Sequence, residues 1–479
     1  MERQKEYNGC LKQCLCKDCP SNFECGAWVD FVLLHSDIKP YAHFDKKVSL
    51  KLPTVRHYVM NNDKIAQHSF YPFIHFTKVI SRYGKKLPKK RELYYCSHLD
   101  RCVYQRYAFL INQKYIERIK GDNLDTVAIA YRSDLGKNNI DFAKEAFESI
   151  NKLGHCSVIV GDFTNFFDRL DHSYLKKMLC SLLQVERLPN DYYAVFKNIT
   201  HFAFWDWKSL IEYTGHQISE HGVRRLLNSQ EVILSKEQFK KGKKNIEKNH
   251  HSYGIPQGSP ISATLSNVYM LEFDKIINMY VSTYKGKYFR YCDDFFIALP
   301  YENESAIKKH IEFVYSSVDN IKQLDLQPEK TGIYIFDKGS ITEYSSGGPA
   351  QIDYLGFVFD GKNIKLRPRS ITKYYYRMRR KARHIGHRNW RSPKNKHITA
   401  KKLYEIYSAT NINSLQENKS PQQNADYKRQ TFIDYAKKAD KILHLSDKEA
   451  LALIRYHKRK IAQAIKSGAS PKIKTKDSN

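Results

Sequence analysis

The sequence predicts an α+β fold, with helices packed outside short strands of an antiparallel sheet. Two kinds of segment carry this reading. Leu99–Ile119 sets Val103, Tyr107, Leu110, Ile111 and Tyr115 at helical spacing, and Ile140–Ile150 repeats the pattern, so both predict amphipathic helices. Beside them stand apolar runs of strand length. Ser157–Phe163 is β-branched and delivers an acid at its end, Tyr288–Leu299 reads strand, acidic turn, strand, and Ile352–Phe359 reads as a further strand. With 479 residues, 42% hydrophobic and 27% charged, the chain is globular and long enough for two or three units around a sizeable core.

In order along the chain, residues 1–60 carry no strong period and read as an N-terminal extension. Residues 61–157 alternate basic strand-like pieces with the two helices. Residues 158–359 hold the acid-bearing strands, with a helix expected to start near Asn165 and another near Pro260. A polar and aromatic insertion at 185–250 interrupts them and carries a lysine-rich helix near Lys236–Lys248. Residues 360–479 are basic and helical, broken by an Asn/Gln/Ser-rich loop over 411–429.

Five of the ten cysteines fall in the first 25 residues. Cys16 and Cys19 have knuckle spacing, and a zinc ion held by Cys10, Cys14 or Cys16, Cys19 and Cys25 is one reading; reduced thiols in a folded cap are the other. The remaining five sit among apolar neighbours and read as small buried side chains. No stretch approaches the roughly 18 apolar residues that span a bilayer, which excludes a membrane partner. The polar start, Met1–Cys10, lacks an apolar signal core, so a cytoplasmic location is expected.

Charge points to the partner. The formal net charge is +30, and such an excess calls for a polyanion. Between Gly361 and Lys402 there are 16 Lys/Arg and no Asp or Glu, interleaved with Tyr374, Tyr375, Tyr376 and Trp390. Like charges in that number repel across any helix face unless phosphates lie between them, and the aromatics suit stacking on unpaired bases. Nucleic acid is the expected ligand.

The carboxylates suggest chemistry. Val158-Ile-Val-Gly-Asp162 ends a buried strand on an acid, and Tyr291-Cys-Asp293-Asp294 puts two more at the tip of an apolar hairpin. Adjacent carboxylates there repel and resist desolvation without a cation. Together the three suit two Mg²⁺ ions about 3.5–4 Å apart, the arrangement for in-line phosphoryl displacement. Taken alone, an Asp-Asp pair also makes an ordinary polar turn.

The ordered segments resemble the polymerase motifs of reverse transcriptases. Asp162 with Phe167, Asp168 and His172 is similar to the first catalytic motif, Gly254–Ser266 to the second, Tyr291-Cys-Asp-Asp294 to the third, Leu326–Thr331 to the fourth, and Tyr354-Leu355-Gly356-Phe357 to the primer-grip hairpin. Lys90-Arg91, Arg132 and Lys137 resemble finger positions. The likeness runs from about residue 80 to 380. Within the family the chain looks bacterial, of the retron and group II intron lineage. Ser97–Arg101, Asp141–Ala143 and Asp434–Ala436 resemble the unknown-group, defence-associated enzymes that act against phage.

That resemblance implies a right-hand polymerase, with fingers over 61–157, palm over 158–359 and thumb over 360–479. It implies synthesis of cDNA from dNTPs on a cognate non-coding RNA. Asp162, Asp293 and Asp294 would be catalytic and hold Mg²⁺. Phe167 would gate the sugar, with core packing against Phe166 as the bland alternative. Arg91, Gln257, Gly258 and Lys330 would meet the nucleotide, and His172 would be structural. Tyr354, Leu355, Gly356, Phe357, Arg377, Arg379 and Arg380 would hold primer and template. A template-independent polymerase and a non-enzymatic RNA scaffold stay open as alternatives, as does a homo-oligomer.

Overall fold

The computed structural model describes residues 22–35, 37–80, 88–132, 134–219, 222–393, 397–408, 431–446 and 456–469. Cys10, Cys14, Cys16 and Cys19, the side chain of Cys25 and the loop expected over 411–429 lie outside the described residues. Twelve described strands form three sheets. The first joins β1 (Phe73–Ile80), β2 (Lys89–Tyr95), β4 (Ala203–Asp206) and β5 (Glu247–Lys248) in the order β2-β1-β4-β5. The central sheet has the order β6-β7-β3-β8-β9, from β3 (His155–Asp162), β6 (Lys287–Tyr291), β7 (Asp294–Pro300), β8 (Gly332–Asp337) and β9 (Ser340–Glu343). The third is the meander β10 (Ile352–Tyr354), β11 (Phe357–Phe359) and β12 (Ile364–Leu366). The central sheet and the meander are antiparallel and the first sheet has one parallel pair, β1 with β4; with the helices packed on them this is the α+β architecture that the sequence predicts.

The central sheet divides two cores by simple alternation. On β3, Ile159 faces one core while Val158 and Val160 face the other. On β7, Phe295, Ile297 and Leu299 face the first, and Phe296 and Ala298 the second. Gly161 is required at its place, because a Cβ there would lie 2.2 Å from the Phe295 ring. The first core is closed by α1 (His98–Gly121), which starts where Ser97 accepts from the Asp100 amide. The second is closed by α2 (Asn139–Leu153), started by an Asn138/Asp141 capping box and packed through Ile140, Ala143, Phe147 and Ile150.

Several elements differ from expectation for local reasons. Near Asn165 no α-helix begins: Asn165 is left-handed (φ 49°) and a 3₁₀ turn, Phe166–Arg169, follows. The helix proper, α3 (His172–Leu183), waits for Asp171, whose carboxylate accepts from the Tyr174 amide. The lysine-rich helix is Lys236–Gly242 and stops short of Lys248. A Cβ on Gly242 would meet Trp205 at 2.4 Å, so the chain is pressed against the first sheet there before β5 pairs with β4. The inserted residues therefore build onto β1 and not onto the central sheet. Ile352–Phe359 is a hairpin and not one strand, turned by Leu355 (φ 47°) and Gly356 (φ 98°). Cys180 is half-buried, whereas Cys96, Cys102, Cys156 and Cys292 are buried.

After the sheets come α4 (Ser262–Tyr269), α5 (Leu271–Thr283) and, in the basic region, α6 (Pro368–Arg391), α7 (Phe432–Leu443) and α8 (His457–Ala469). The packing of α6 on α8 is glycine-dependent: a Cβ on Gly386 would lie 2.0 Å from the Ile465 carbonyl, and one on Gly468 2.3 Å from that of Arg383. Among the described residues no helix is long and apolar enough to cross a membrane.

Candidate active site

Three carboxylates meet where β3 ends beside the β6–β7 hairpin. Asp162 stands opposite Asp294 in the ladder, and the next amide, that of Phe163, donates to the Asp293 carbonyl at 3.1 Å. The hairpin turns on Cys292-Asp293 with a positive φ (62°) at Cys292 only, the II′ pattern that glycine ordinarily serves. Burial, and then the neighbouring Asp293 and Asp162 carboxylates, push Asp294 up to about 8. Burial followed by Asp162 raises Asp293. Among the described residues one ion pair answers them: Lys330 Nζ lies 2.6 Å from Asp162 Oδ2.

Among the described residues no group of three or more His, Cys, Asp and Glu stands ready-made around a metal position. Asp162 is turned to Lys330, and Asp294 stands opposite Asp162 across the β3–β7 ladder. The donor set is nonetheless that of a hard cation: all oxygen, mutually repelling, and short of positive charge. The residues fit Mg²⁺.

Arg290 is the support that sequence reasoning missed. It is fully buried on β6 and forks onto the equally buried Asp274 of α5, Nε to Oδ1 at 2.7 Å and Nη2 to Oδ2 at 2.6 Å. Its remaining Nη1 donates to the Cys292 carbonyl at 3.0 Å and to Asn267 Oδ1 at 3.3 Å, so the pair holds the acidic turn from beneath. Tyr288 adds a third donor to Asp274 at 2.7 Å. The signal was an arginine inside an otherwise apolar strand, which must have a partner.

The Gly254–Gly258 loop is stitched on three sides. Gly254 N donates to the Leu170 carbonyl and Ile255 N to that of Phe167, each at 2.9 Å, and Tyr94 N donates to the Gln257 carbonyl at 2.8 Å. Gly258 needs its hydrogen: φ is 115°, and a Cβ would lie 2.4 Å from the Tyr94 carbonyl. His172 Nε2 bonds the Gly254 carbonyl at 2.8 Å, in keeping with a structural histidine. Phe166 is the ring that fills the core; Phe167 is half-buried beside it, centroids 5.5 Å apart. Asp162, Asp293 and Asp294 thus meet at one end of the central sheet with Lys330 on Asp162, and the loop that carries Gln257 and Gly258 is bonded to the Phe167 carbonyl through Ile255.

Other expected residues lie elsewhere. Arg91 is exposed on β2, opposite Lys78, and no described hydrogen bond or ion pair joins it to the carboxylates. Burial and then the cations Arg377, Arg369, Arg91 and Lys78 hold Lys373 of α6 down. Arg132, which resembles a finger position, is buried between Asp125 (2.7 Å) and Asp134 (2.5 Å) because it clamps its own loop. Tyr354 and Phe357 are core residues, which leaves Leu355 and Gly356 as the accessible part of that hairpin. On α6, Tyr374 and Tyr375 are 7% and 8% exposed and face the second core, so two of the three tyrosines expected to suit base stacking pack inside instead. Tyr376, at 51%, stays outward under Arg380, and Arg377, Arg379 and Arg380 are exposed.

Residues 110–359, just over half of the chain, match the family described as reverse transcriptase (RNA-dependent DNA polymerase). No curated protein matches the chain. Among solved structures it is similar to an apo telomerase from Candida tropicalis truncated from its C-terminal domain, at 13% identity and a TM-score of 0.36 over 67% of this chain and 61% of that one. It is also similar to a Candida albicans telomerase in complex with a TWJ fragment of telomeric RNA, at 13% identity and a TM-score of 0.37 over 70% of this chain and 54% of that one. The chain therefore spans about three fifths or less of those telomerases' own length.

Proposed function

The chain belongs to the reverse transcriptase (RNA-dependent DNA polymerase) family, with its α+β right-hand fold and nucleotidyltransferase domain, and on that premise we propose that it copies an RNA into DNA at the Asp162–Asp293–Asp294 centre. The observation that carries this is the convergence of three half-buried or buried carboxylates from β3 and one hairpin, opposed by a single lysine. Asp162 and Asp293, with Asp294 behind them, would hold two Mg²⁺, which when bound activate the primer's 3′-hydroxyl and balance charge on the departing pyrophosphate.

The protein's own groups do the rest. Arg290 fixes the height of the acidic turn through the Cys292 carbonyl. Gln257 and Gly258 present a backbone edge, anchored on β2, against which the nascent pair lies flat. Lys330, 44% exposed at its side chain, would release Asp162 to a bound cation and could then protonate the leaving oxygen. Phe167 lies under the incoming sugar and rejects a 2′-hydroxyl. Phe167→Ala is therefore expected to improve ribonucleotide use relative to dNTPs by about 10–200-fold on a defined template, the range for one small group in an apolar pocket. An unchanged ratio returns Phe167 to packing alone.

Fingers over 61–157, palm over 158–359 and thumb over 360–479 remain the proposed division, with Arg377, Arg379 and Arg380 on the template–primer backbone. Replacing these three by Ala should weaken all RNAs alike and flatten the slope of log K against log salt by about 2–3, near 0.7–0.9 for each phosphate no longer neutralised. The measurement is a binding titration at several salt concentrations, and an unchanged slope removes them from the interface.

The finer reading is a bacterial enzyme of the retron and group II intron lineage, acting on a cognate non-coding RNA in anti-phage defence. It rests on Ser97–Arg101, Asp141–Ala143 and Asp434–Ala436. These segments serve the fold: His98, Asp100 and Arg101 are buried, Asp141 caps α2 and Asp434 caps α7. Sequencing the nucleic acid that copurifies with the protein tests it. A structured RNA with complementary cDNA supports the reading, and unrelated cellular RNA without cDNA rejects it.

A further inference from the structure

Tyr131 combines three features that packing does not require. Its φ is +61°, a region that bulky side chains avoid. The residue is 52% exposed, so little burial offsets the strain. Its hydroxyl reaches Cys292 Sγ at 3.4 Å, on the turn that carries Asp293.

The neighbours explain how the conformation persists. On one side Ala130 O accepts from Asn267 Nδ2 at 3.1 Å, and the Val127–Ile129 backbone is hydrogen-bonded to Arg290 of β6 in both directions. On the other, Arg132 is clamped by Asp125 and Asp134. Both ends are fixed, and Tyr131 is forced outward between them. Strained residues held in this way cluster at active sites and ligand clamps.

Topology says what lies there. The strand order β6-β7-β3 puts Asp293 and Asp294 between Phe167, which follows β3, and Tyr131, whose segment bridges the outer edge of β6. If Phe167 underlies the incoming nucleotide, the opposite flank receives the strand being extended. The accessible hairpin turn is tied to the start of α2 on that flank: Leu355 O accepts from Asn139 Nδ2 at 3.0 Å, while Phe142 of α2 packs 6.3 Å from the Tyr291 ring.

We propose that Tyr131 is a substrate-positioning residue whose exposed ring packs on the sugar of the primer's 3′-terminal nucleotide, with its hydroxyl anchored on Cys292. The proposal rests on the reverse-transcriptase reading above. The contact is with a terminal nucleotide sugar, whether of DNA or RNA.

The test uses the full chain without divalent metal. A fluorescent RNA template is titrated alone, with a recessed DNA primer, and with a recessed RNA primer of the same sequence. Wild type should prefer a recessed primer end, and the two primer arms show which sugar is favoured. Tyr131→Gly, which relieves the backbone, should melt at or above the wild-type temperature yet lose about tenfold of that preference, the scale of removing one packed ring. Tyr131→Phe should keep the preference, since the ring remains.

In steady-state extension the KM for primer should rise in Tyr131→Gly while that for dNTP holds. A folded glycine variant with wild-type preference overturns the proposal. So does a phenylalanine variant as weak as glycine, or a glycine variant that melts far below wild type, because each assigns the residue to scaffolding. Tyr131→Asn, which also tolerates a positive φ, repeats the test if the glycine variant does not fold. Failure of the underlying reading looks different: wild type itself would neither prefer nor extend a primer.

Discussion

Asp293→Asn should lower primer extension by about a thousand-fold, because several kcal/mol of charge stabilisation depend on that carboxylate and each decade is about 1.4 kcal/mol. The fold should not suffer. Asp293 and Asp294 are adjacent, half-buried and both raised by burial and by neighbouring carboxylates, so a neutral isostere removes repulsion. The melting temperature is expected to stay level or rise. RNA binding should persist, since the proposed backbone contacts are the exposed arginines of α6, away from this turn. The measurements are single-nucleotide extension, a melting curve and an RNA titration on one preparation. Extension within about tenfold of wild type would remove Asp293 from the chemistry, since several kcal/mol cannot shrink to one decade.

Arg290→Met should cost about 3–5 kcal/mol of stability, the penalty for stranding a buried charge. Asp274 would lose both prongs of the guanidinium and keep only the Tyr288 hydroxyl. Asp274→Leu should cost a similar amount by stranding Arg290. The double variant should be more stable than the sum of the two losses implies, because two apolar side chains of similar volume need no counter-charge. Even so it should extend primers slowly, as the Cys292 carbonyl then lacks its donor. Urea unfolding of the four proteins gives the cycle. Strict additivity would mean that the two residues do not act as a pair.

Much of the site was legible because it obeys local rules. A buried strand ending on Asp162 and an apolar run folding back at Asp293-Asp294 are period-2 patterns, and both strands lie where those patterns put them. Gly254 and Gly258 were also readable, since glycine between turn residues signals a positive φ or a close approach, and both occur. What escaped reading depends on partners distant in sequence. Arg290 meets Asp274 sixteen residues away, and Lys330 meets Asp162 across 168, so neither pair has a spacing to detect. Tyr131, next to the finger-like Arg132, carried no signal of its own; its strain comes from anchors at Asn267 and Asp125 that no local pattern contains.

On the basic helix the reverse holds. Tyr374, Tyr375, Met378, Ala382 and Gly386 repeat at helical spacing and are the buried face of α6. That period is present in the sequence, but the charge of the region masks it. Grouping Tyr374, Tyr375 and Tyr376 by composition joins two core residues to one surface residue. Only Tyr376 and Trp390, both exposed, remain to stack on bases from this helix. Stacking recognition from α6 is correspondingly narrower than its aromatic content implies.

The central claim is templated synthesis at the carboxylate centre, and sequencing the product of a defined RNA tests it most directly. Purified protein is given a heteropolymeric RNA template, a recessed primer, all four dNTPs and Mg²⁺, and the extended strands are read individually. The account predicts DNA complementary to the template, made by wild type and absent with Asp293→Asn. Extension whose sequence ignores the template would contradict it and favour untemplated polymerisation at the same centre, and no extension by a folded, RNA-binding wild type would favour a scaffold.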